Sequence, residues 1–457
     1  MSFSGILIAN RGEIAIRIAR AASDLGIRSV AVFSSDDESS LHVIKSDERV
    51  LLPGKGAAAY LDMDSIISAA KKNNCDAIHP GYGFLSEQAD FAKKCELEGV
   101  TFIGPKEKHL RLFGDKGAAR DAARSASVPV LNGINQPITL QEAESFFEDV
   151  KGNILIKAIA GGGGRGTRLV TRKSEVREAF ARCQAEASVA FGCKDLYVEE
   201  YLHQARHIEI QIVGDGSGNI VELGERECSV QRRNQKVIEI APCPNLSQSL
   251  RQDIVASAIR LAKAQDYLSL GTFEFLVDLN STDPKFFFIE ANARLQVEHT
   301  VTEEIMGLDL VRSQIQISQG LTLKDLQLDN INSNHRVGFA IQARVNMEKI
   351  RSDGTVLPSS GVLSAYEPPS GPGVRVDGFG YAGYRTNTLF DSLLAKVIVR
   401  DNSPHLENAI RKMVRALSEF RLEGVQSNLS FLKNILSHTD FVNCSITTRW
   451  VDEHKEE

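Results

Sequence analysis

The sequence predicts an α/β fold that begins with a doubly wound parallel sheet and continues into strand-rich parts. Near the N-terminus, residues 5–9 and 29–33 are short apolar runs that predict strands, and residues 13–25 between them carry apolar side chains at helical spacing. Strands that alternate with helices favour a parallel sheet covered on both faces. Further along, residues 153–278 are richer in strands, and the chain is β-like again from Gly338.

Two polar loops follow predicted strands of the first sheet. Residues 10–12 (Asn-Arg-Gly) follow the first strand, and residues 79–83 (His-Pro-Gly-Tyr-Gly) follow a later one. Ligands of parallel sheets bind at the carboxyl ends of strands, so we expect both loops to border a ligand site. The first turn has no G-x-G-x-x-G pattern, which makes a dinucleotide-binding domain a poor fit.

The composition excludes several classes of protein. The 457 residues carry a net charge of −6, whereas a general grip on nucleic acid needs a surplus of Lys and Arg. Apolar runs stay short of the ~18 residues of a membrane span, and the first residues do not resemble a secretory signal. The seven cysteines are scattered without a C-x-x-C pair, which argues against a disulfide frame or a zinc site. We therefore expect a cytoplasmic protein that binds neither nucleic acid nor membranes.

A glycine-rich loop joins two predicted strands. Residues 161–166 (Gly-Gly-Gly-Gly-Arg-Gly) lie between predicted strands at 153–159 and 167–171. Adjacent glycines let backbone N–H groups approach phosphate oxygens without Cβ clashes. A P-loop would instead lead into a helix and end in G-K-S/T, so a Walker-type ATPase is disfavoured. The pattern favours a hairpin tip that folds over a nucleotide, with Lys157 beside the phosphates; a merely flexible hairpin is the alternative.

A line of alternating polar residues follows a predicted buried strand. Residues 286–289 are apolar throughout, as in a buried strand, and polar residues then occupy every second position. In an extended chain such side chains point to one face. The polar positions are Glu290, Asn292, Arg294, Gln296 and Glu298.

A second carboxylate is predicted to lie opposite the start of this line. Glu274 sits between aromatic residues in a predicted strand at 271–277, and a turn at 279–285 lets the two strands pair with Glu274 facing Glu290. Two buried carboxylates repel unless a cation or a proton lies between them. Hard oxygen ligands suit Mg²⁺ or Mn²⁺ bound to nucleotide phosphates, and Asn292 would complete the set. A general acid/base pair, as in glycoside hydrolysis, is the alternative.

Two further segments carry polar side chains on predicted strands. His207, Glu209 and Gln211 share one face of a strand at 206–211, although a single histidine is more typical of a structural role. Residues 229–237 are basic. Such a run indicates either a solvated face or an anion site, and both interpretations remain open at this point.

Several motifs share their order and spacing with one known family. They are I-A-N-R-G-E-I-A-I-R-I (8–18), H-P-G-Y-G-F-L-S-E (79–87), F-I-G-P (102–105), G-D-K (114–116), the glycine loop, R-H-I-E-I-Q (206–211), Q-R-R-N-Q-K-V (231–237), G-T-F-E-F (271–275) and E-A-N-A-R-L-Q-V-E-H (290–299). Together they resemble biotin carboxylase from about residue 5 to residue 450. The resemblance implies an ATP-grasp fold in three parts. These are a Rossmann-like N-terminal domain at 1–112, an ATP-grasp domain at 113–330 with a mobile lid at about 130–201, and a β-rich C-terminal domain at 331–450.

Carried over residue by residue, the resemblance implies roles for individual side chains. Glu298 would be the general base, and Arg344 would face the ureido oxygen of biotin. The implied ATP contacts are Lys116, Lys157, Gly163, Gly164 and His207. The implied adenine edge is Glu199, Glu200, Tyr201 and Leu202. The implied metal ligands are Glu274, Glu290 and Asn292. The implied bicarbonate contacts are Lys236, Arg294, Gln296 and Val297.

Some positions depart from the pattern common in the family. Asn234 stands near the nucleotide contacts where many members have His, Ile240 where a second acidic residue is frequent, and Phe339 where His is usual. The charged positions that the resemblance places in catalysis are all kept. We interpret the departures as features of a branch of the family.

The resemblance also implies a reaction and partners. The reaction is the carboxylation of biotin with ATP and bicarbonate through carboxyphosphate, with Mg²⁺ or Mn²⁺ bound. The A-M-K-M biotin attachment motif does not occur in the 457 residues, so we expect a biotin carboxyl carrier and a carboxyltransferase on another chain or beyond residue 457. A homodimer is also implied. The alternatives are a different ATP-grasp ligase, which joins a carboxylate to an amine, and a non-catalytic nucleotide-binding protein.

Overall fold

The computed structural model describes residues 2–159, 166–280, 284–331, 338–351 and 354–454. Within these residues the chain forms a parallel N-terminal sheet, a small antiparallel sheet, an eight-stranded antiparallel sheet and two short strand pairs. The predicted α/β architecture, with a parallel sheet first and a β-rich C-terminal part, is confirmed. The predicted nucleotide contacts Gly163 and Gly164 lie outside the described residues.

The N-terminal part is a five-stranded parallel sheet with helices between its strands. The strand order is β3-β2-β1-β4-β5, and α1 begins where the sequence predicted a helix. Gly12 begins α1 with a φ of +64°, and a Cβ atom there would lie 3.3 Å from the ring of Phe379. Its elements are β1 (Gly5–Ile8), α1 (Gly12–Asp24), β2 (Arg28–Phe33), α2 (Leu41–Lys45), β3 (Glu48–Leu51), α3 (Gly56–Ala59), α4 (Met63–Lys72), β4 (Ala77–His79), α5 (Ala89–Leu97), β5 (Thr101–Phe102) and α6 (Glu107–Gly114).

A small four-stranded sheet follows, in the range predicted for the lid. Its strand order is β6-β9-β7-β8, and β7 pairs with β8 as the predicted hairpin around the glycine loop. Helix α8 begins with a capping box, in which Thr139 and Glu142 satisfy each other's backbone N–H groups. The elements are α7 (Lys116–Ser125), β6 (Gly133–Ile134), α8 (Leu140–Val150), β7 (Ile154–Ala158), β8 (Thr167–Val170), a 3₁₀ turn (Lys173–Glu175), α9 (Val176–Phe191) and β9 (Leu196–Glu200).

The largest sheet has eight antiparallel strands and crosses the boundary predicted near residue 330. Its order is β14-β13-β10-β11-β12-β15-β20-β19, so strands of the central and C-terminal parts pair directly. The central elements are β10 (Ala205–Asp215), β11 (Ile220–Arg232), β12 (Gln235–Ala241), α10 (Gln248–Ala264), β13 (Leu268–Asp278), β14 (Phe286–Asn292), α11 (His299–Met306) and α12 (Leu310–Ser318).

The C-terminal part covers one face of this sheet with helices. Val397 of the sheet packs with Met413, Leu417 and Leu432 in one apolar core, because the buried face of α13 lies against the strands. The elements are β15 (Phe339–Asn346), β16 (Glu348–Ile350), β17 (Val356–Pro358), β18 (Ala365–Glu367), β19 (Val374–Gly378), β20 (Leu393–Asp401), α13 (Leu406–Glu419), β21 (Arg421–Glu423), α14 (Leu429–Ser437), α15 (Thr439–Val442) and α16 (Trp450–Glu453).

Two details of the predicted polar line are wrong. Strand β14 ends at Asn292, and the chain then turns until Glu298 precedes α11, so residues 290–298 are not one extended segment. Of residues 286–289, only Phe288 is fully buried. The reason for the second error is position: β14 is the edge strand of the sheet, so part of its surface faces solvent.

His79, at the end of β4, makes the stability of the N-terminal part depend on pH. Its ring is fully buried, Nδ1 accepts a hydrogen bond from the N–H of Gly81 at 3.1 Å, and burial lowers the pKa of the ring to about 3. In the unfolded chain the pKa is about 6.5. Below pH 6.5 the unfolded state therefore binds a proton at this ring and the folded state does not. The free energy of unfolding decreases as the pH falls toward 3.

We expect His79 to lower the free energy of unfolding by about 2 kcal/mol between pH 7 and pH 5. In the His79→Asn variant the amide oxygen can still accept from Gly81 but does not titrate, so the unfolding free energy should fall less steeply. Urea titrations of both proteins at the two pH values measure these slopes. Equal slopes would contradict the assignment.

Candidate active site

Lys236 is the centre of a buried cluster of charges in the eight-stranded sheet. Its Nζ lies 2.6 Å from an oxygen of Glu209, 2.9 Å from one of Glu274 and 2.6 Å from one of Glu298. Burial opposes the charge on Lys236, but the three carboxylates raise its pKa well above the usual value. Lys236 lies on β12, and its three partners come from β10, β13 and the residue that precedes α11, so tertiary folding assembles the cluster.

The two carboxylates of this cluster that the sequence predicted to be functional are ionised. Burial would raise the pKa of Glu298, but the charges of Lys236, Arg344 and Arg226 lower it well below the usual value. Burial would also raise the pKa of Glu274, but Lys236 and His207 lower it well below the usual value. Both side chains therefore offer negative oxygens at neutral pH.

Glu274 receives hydrogen bonds from several neighbours. His207 Nε2 lies 2.7 Å from Glu274 Oε2, and His207 Nδ1 lies 2.7 Å from Gln231 Nε2. Asn292 Nδ2 donates to Glu274 at 2.7 Å, and Gln296 Nε2 donates at 3.2 Å. These contacts fix the carboxylate of Glu274 within β13.

The predicted pairing of Glu274 with Glu290 is confirmed. The two residues are register partners of β13 and β14. Glu290 is not buried, however: 38% of its side chain is exposed at the sheet edge, and Lys116 Nζ lies 3.8 Å away. Glu274, Glu290 and Asn292 lie on the paired strands β13 and β14, and their carboxylate and amide oxygens are of the donor type that Mg²⁺ or Mn²⁺ prefers.

Two arginines border the cluster on different sides. Arg344 donates through Nε to Glu239 at 2.6 Å, and its Nη2 lies 3.0 Å from Glu298 Oε2. Arg294 donates to Gln296 Oε1 at 2.9 Å and to Asn292 Oδ1 at 3.0 Å. Arg294 Nε lies 3.0 Å from Glu87 of the N-terminal part, which ties the polar turn to the first domain.

The residues of the predicted adenine edge lie in or next to the small sheet, and the carboxylates of Glu199 and Glu200 contact other protein side chains. Buried Glu199 accepts from Arg120 Nη1 at 2.7 Å and is paired with Lys157. Burial would raise the pKa of Glu199, but Lys157 and Arg120 lower it. Its carboxylate therefore serves an ion-pair network within the predicted lid. The other predicted positions of this edge are Glu200, whose carboxylate accepts from Asn132 at 2.9 Å, and the half-buried Tyr201 and Leu202.

The basic segment at 229–237 has a buried part and an exposed part, and its interpretation as an anion site remains a prediction. Lys236 belongs to the charge cluster, whereas Arg233 and Asn234 are exposed in the turn between β11 and β12. Asn234 adopts a φ of +62°, a left-handed conformation that Asn tolerates better than most residues. Its predicted contact with the nucleotide remains a prediction.

Several residues that support the cluster were not predicted from the sequence. Arg226 is fully buried and bonds Glu209, Gln211 and Thr272. Glu239 is also fully buried and pairs with Arg344. A signal for Glu239 was present, because a lone acid between Ile238 and Ile240 indicates a strand with one polar face. No local pattern indicates that Arg226 reaches Glu209.

The parallel N-terminal sheet, the small antiparallel sheet and the cluster of cations and carboxylates in the large sheet agree with an ATP-grasp protein. Family models match three successive segments. "Biotin carboxylase, N-terminal domain" matches residues 2–110, "Carbamoyl-phosphate synthase L chain, ATP binding domain" matches residues 115–326, and "Biotin carboxylase C-terminal domain" matches residues 342–453.

Solved structures agree over the whole chain. The biotin carboxylase domain of 2-oxoglutarate carboxylase from Hydrogenobacter thermophilus, a dimer solved with MgADP and bicarbonate, is 38% identical, with a TM-score of 0.94 over 99% of this chain and 98% of that one. Biotin carboxylase from Campylobacter jejuni is 36% identical, with a TM-score of 0.93 over 99% of both chains. The chain therefore belongs to the biotin carboxylase family of ATP-grasp ligases.

Curated relatives are longer than this chain. Pyruvate carboxylase from Bacillus subtilis is 46% identical over 100% of this chain and 40% of its own length. Human mitochondrial pyruvate carboxylase is 46% identical over 99% of this chain and 38% of its own length. The chain thus spans about two fifths of these relatives. In the described parts of the chain, we find no helix with the length and apolar character needed to cross a membrane.

Proposed function

We propose that the cluster around Lys236 is where bicarbonate is deprotonated and biotin is carboxylated. One observation carries the assignment: Glu298, an ionised carboxylate, touches two cations at once, Lys236 at 2.6 Å and Arg344 at 3.0 Å. Bicarbonate must lose a proton before it can attack a phosphate, and a carboxylate within hydrogen-bond reach can accept that proton. Lys236 and Arg294 supply positive charge for the anion, with Gln296 and Val297 beside them.

Arg344 has the properties required of a group that stabilises carboxylation of biotin. Loss of a proton from a ureido nitrogen leaves negative charge on the ureido oxygen, and a guanidinium aimed at that oxygen stabilises the charge where it develops. Glu239 holds Arg344 at Nε, and Gln342 donates to the other oxygen of Glu239 at 2.9 Å. Glu239 therefore holds the guanidinium of Arg344 in place while Nη2 also contacts Glu298.

Glu274, Glu290 and Asn292 would hold the metal ion, and Lys116, Lys157 and His207 would contact the nucleotide. The metal would offset negative charge on the transferring phosphoryl group. The oxygen donors at the edge between β13 and β14 support this assignment. Asn234, Gly163 and Gly164 join the nucleotide contacts on the resemblance alone.

ATP cleavage by the chain tests this function. We expect ADP formation to require bicarbonate and Mg²⁺ and to rise when free biotin is added. Removal of the divalent metal by EDTA should abolish turnover, and Mg²⁺ or Mn²⁺ should restore it. Turnover without bicarbonate that instead depended on an amine acceptor would contradict the proposal and favour a different ATP-grasp ligase.

We further propose that the chain works with a biotin carboxyl carrier and a carboxyltransferase. The greater length of the pyruvate carboxylases supports this, because about three fifths of each lies outside the matched region. A homodimer is the proposed assembly, supported by the dimeric domain from Hydrogenobacter thermophilus. The seven cysteines are all free thiols, which supports a reducing compartment such as the cytoplasm.

A further inference from the structure

We propose that Lys396 is a positioning residue for the bicarbonate subsite and that Glu13 of the N-terminal domain holds it in place. Lys396 would fix the peptide group that joins Val297 to Glu298. The inference deepens the proposed function and rests on it, because it concerns the residues assigned there to the anion and the base. Neither Lys396 nor Glu13 had a role in the sequence analysis.

Lys396 lies in β20 and is completely buried. Its Nζ donates to the carbonyl oxygen of Val297 at 3.1 Å and lies 3.1 Å from Glu13 Oε2. A buried ammonium group is costly unless charged or polar acceptors replace its water shell. The two acceptors come from different parts of the chain, so the side chain connects the polar turn before α11 to α1.

The contact with Val297 is one of two that orient successive peptide groups in this turn. His299 Nδ1 donates to the carbonyl oxygen of Gln296 at 2.7 Å, because a carbonyl oxygen can only accept. In a planar trans peptide the N–H points away from the C=O. His299 therefore fixes the direction of the Val297 N–H, and Lys396 fixes that of the Glu298 N–H.

The orientation matters for an anion that binds at Val297. Within the part of the chain that the structure describes, the Val297 N–H has no protein acceptor. Donors fixed before the ligand arrives cost no reorganisation when it binds. The contacts of His299 and Lys396 thus preorganise a backbone donor and the neighbouring base, Glu298.

Glu13 is itself anchored by the second polar loop of the first sheet. Tyr82 donates a hydrogen bond to Glu13 Oε1. Burial raises the pKa of Glu13, and the charge of Lys396 opposes that shift. The loops that sequence analysis placed at the carboxyl edge of the parallel sheet therefore reach the proposed anion subsite through Glu13 and Lys396.

Three variants and one control test the inference in bicarbonate-dependent ATP cleavage. We expect Lys396→Met to raise the KM for bicarbonate and lower kcat by on the order of 10-fold to 10²-fold, with the KM for ATP within about twofold. Glu13→Gln, which leaves Lys396 on the carbonyl, should raise the KM for bicarbonate less. The double variant removes both buried charges, so its thermal unfolding midpoint should recover toward that of the unmodified chain while its bicarbonate KM stays high.

Lys412→Met is the matched control. Lys412 also donates to a carbonyl oxygen, that of Arg400 at 2.7 Å, and pairs with Asp401 at 2.8 Å, but it lies on α13 and touches no residue of the proposed site. Its bicarbonate KM should not change.

An unchanged bicarbonate KM in Lys396→Met, or recovery of that KM in the double variant, would overturn the inference. If Lys396→Met does not fold, the double variant carries the same test. A lack of bicarbonate dependence in the unmodified chain would refute the proposed function instead.

Discussion

Replacing Glu298 by Gln is expected to lower bicarbonate-dependent ATP cleavage by on the order of 10²-fold or more, because the proposed general base is lost. Gln keeps the volume of the side chain and can still accept a hydrogen bond from Lys236 or Arg344, but an amide cannot take a proton from bicarbonate. The affinity for MgADP should change little, since Glu298 is assigned to the anion and not to the nucleotide. Steady-state ADP release and MgADP titration measure the two quantities.

The environment of Glu298 in the free protein makes its carboxylate a weak base. Burial would raise the pKa of Glu298, but Lys236 and Arg344 hold it well below the usual value. A bound bicarbonate ion competes with Glu298 for contacts with Lys236 and Arg344. Where these cations contact bicarbonate instead, they stabilise the ionised form of Glu298 less, so the pKa of Glu298 rises. The base is thus ionised in the free protein and gains strength when the substrate is present.

Glu419→Gln is the control for this prediction. Glu419 is exposed on α13 and pairs with Arg415, so the same change of charge there should leave the rate unaltered. A Glu298→Gln rate within about twofold of the unmodified rate would show that another group is the base.

Replacing Lys236 by Met is expected to lower the free energy of unfolding by about 3–5 kcal/mol at pH 7, because three buried carboxylates lose their common cation. Bicarbonate-dependent activity should be lost as well, since the proposed anion contact goes with the charge. Urea unfolding and ADP release measure the two effects. Lys71→Met, which breaks an exposed pair with Glu98, should cost about 1 kcal/mol or less.

The stability difference caused by Lys236→Met should shrink as the pH falls. In the unmodified chain the lowered pKa of Glu274 and of Glu298 gives stability that is present above about pH 4.3 and is lost as the pH falls toward the folded-state values. In the variant both pKa values rise, so protonation relieves the repulsion at a higher pH. A difference that stayed constant from about pH 7 to pH 4 would contradict this account of the cluster.

Local patterns were sufficient for the parts of the site that neighbouring strands build. The alternation around Glu274 and the turn after it predicted that Glu274 would face Glu290, and the register of β13 and β14 confirms it. The same reasoning failed beyond Asn292, where it extended a period-2 pattern through a turn. A polar residue at every second position does not distinguish a strand from a turn whose side chains converge on a common partner.

The sequence by itself determined the α/β class, several of the strands and the first helix, and the chemical types of the residues that meet in the site. Hydrophobic periodicity and turn residues carry that information within short windows of the chain. Only the tertiary structure decided that Lys236 holds Glu209, Glu274 and Glu298 together, and that Lys396 joins Glu13 to the turn at Val297. These contacts depend on the order of strands in the sheet and on the docking of α1, and those arise from long-range packing that no local pattern encodes.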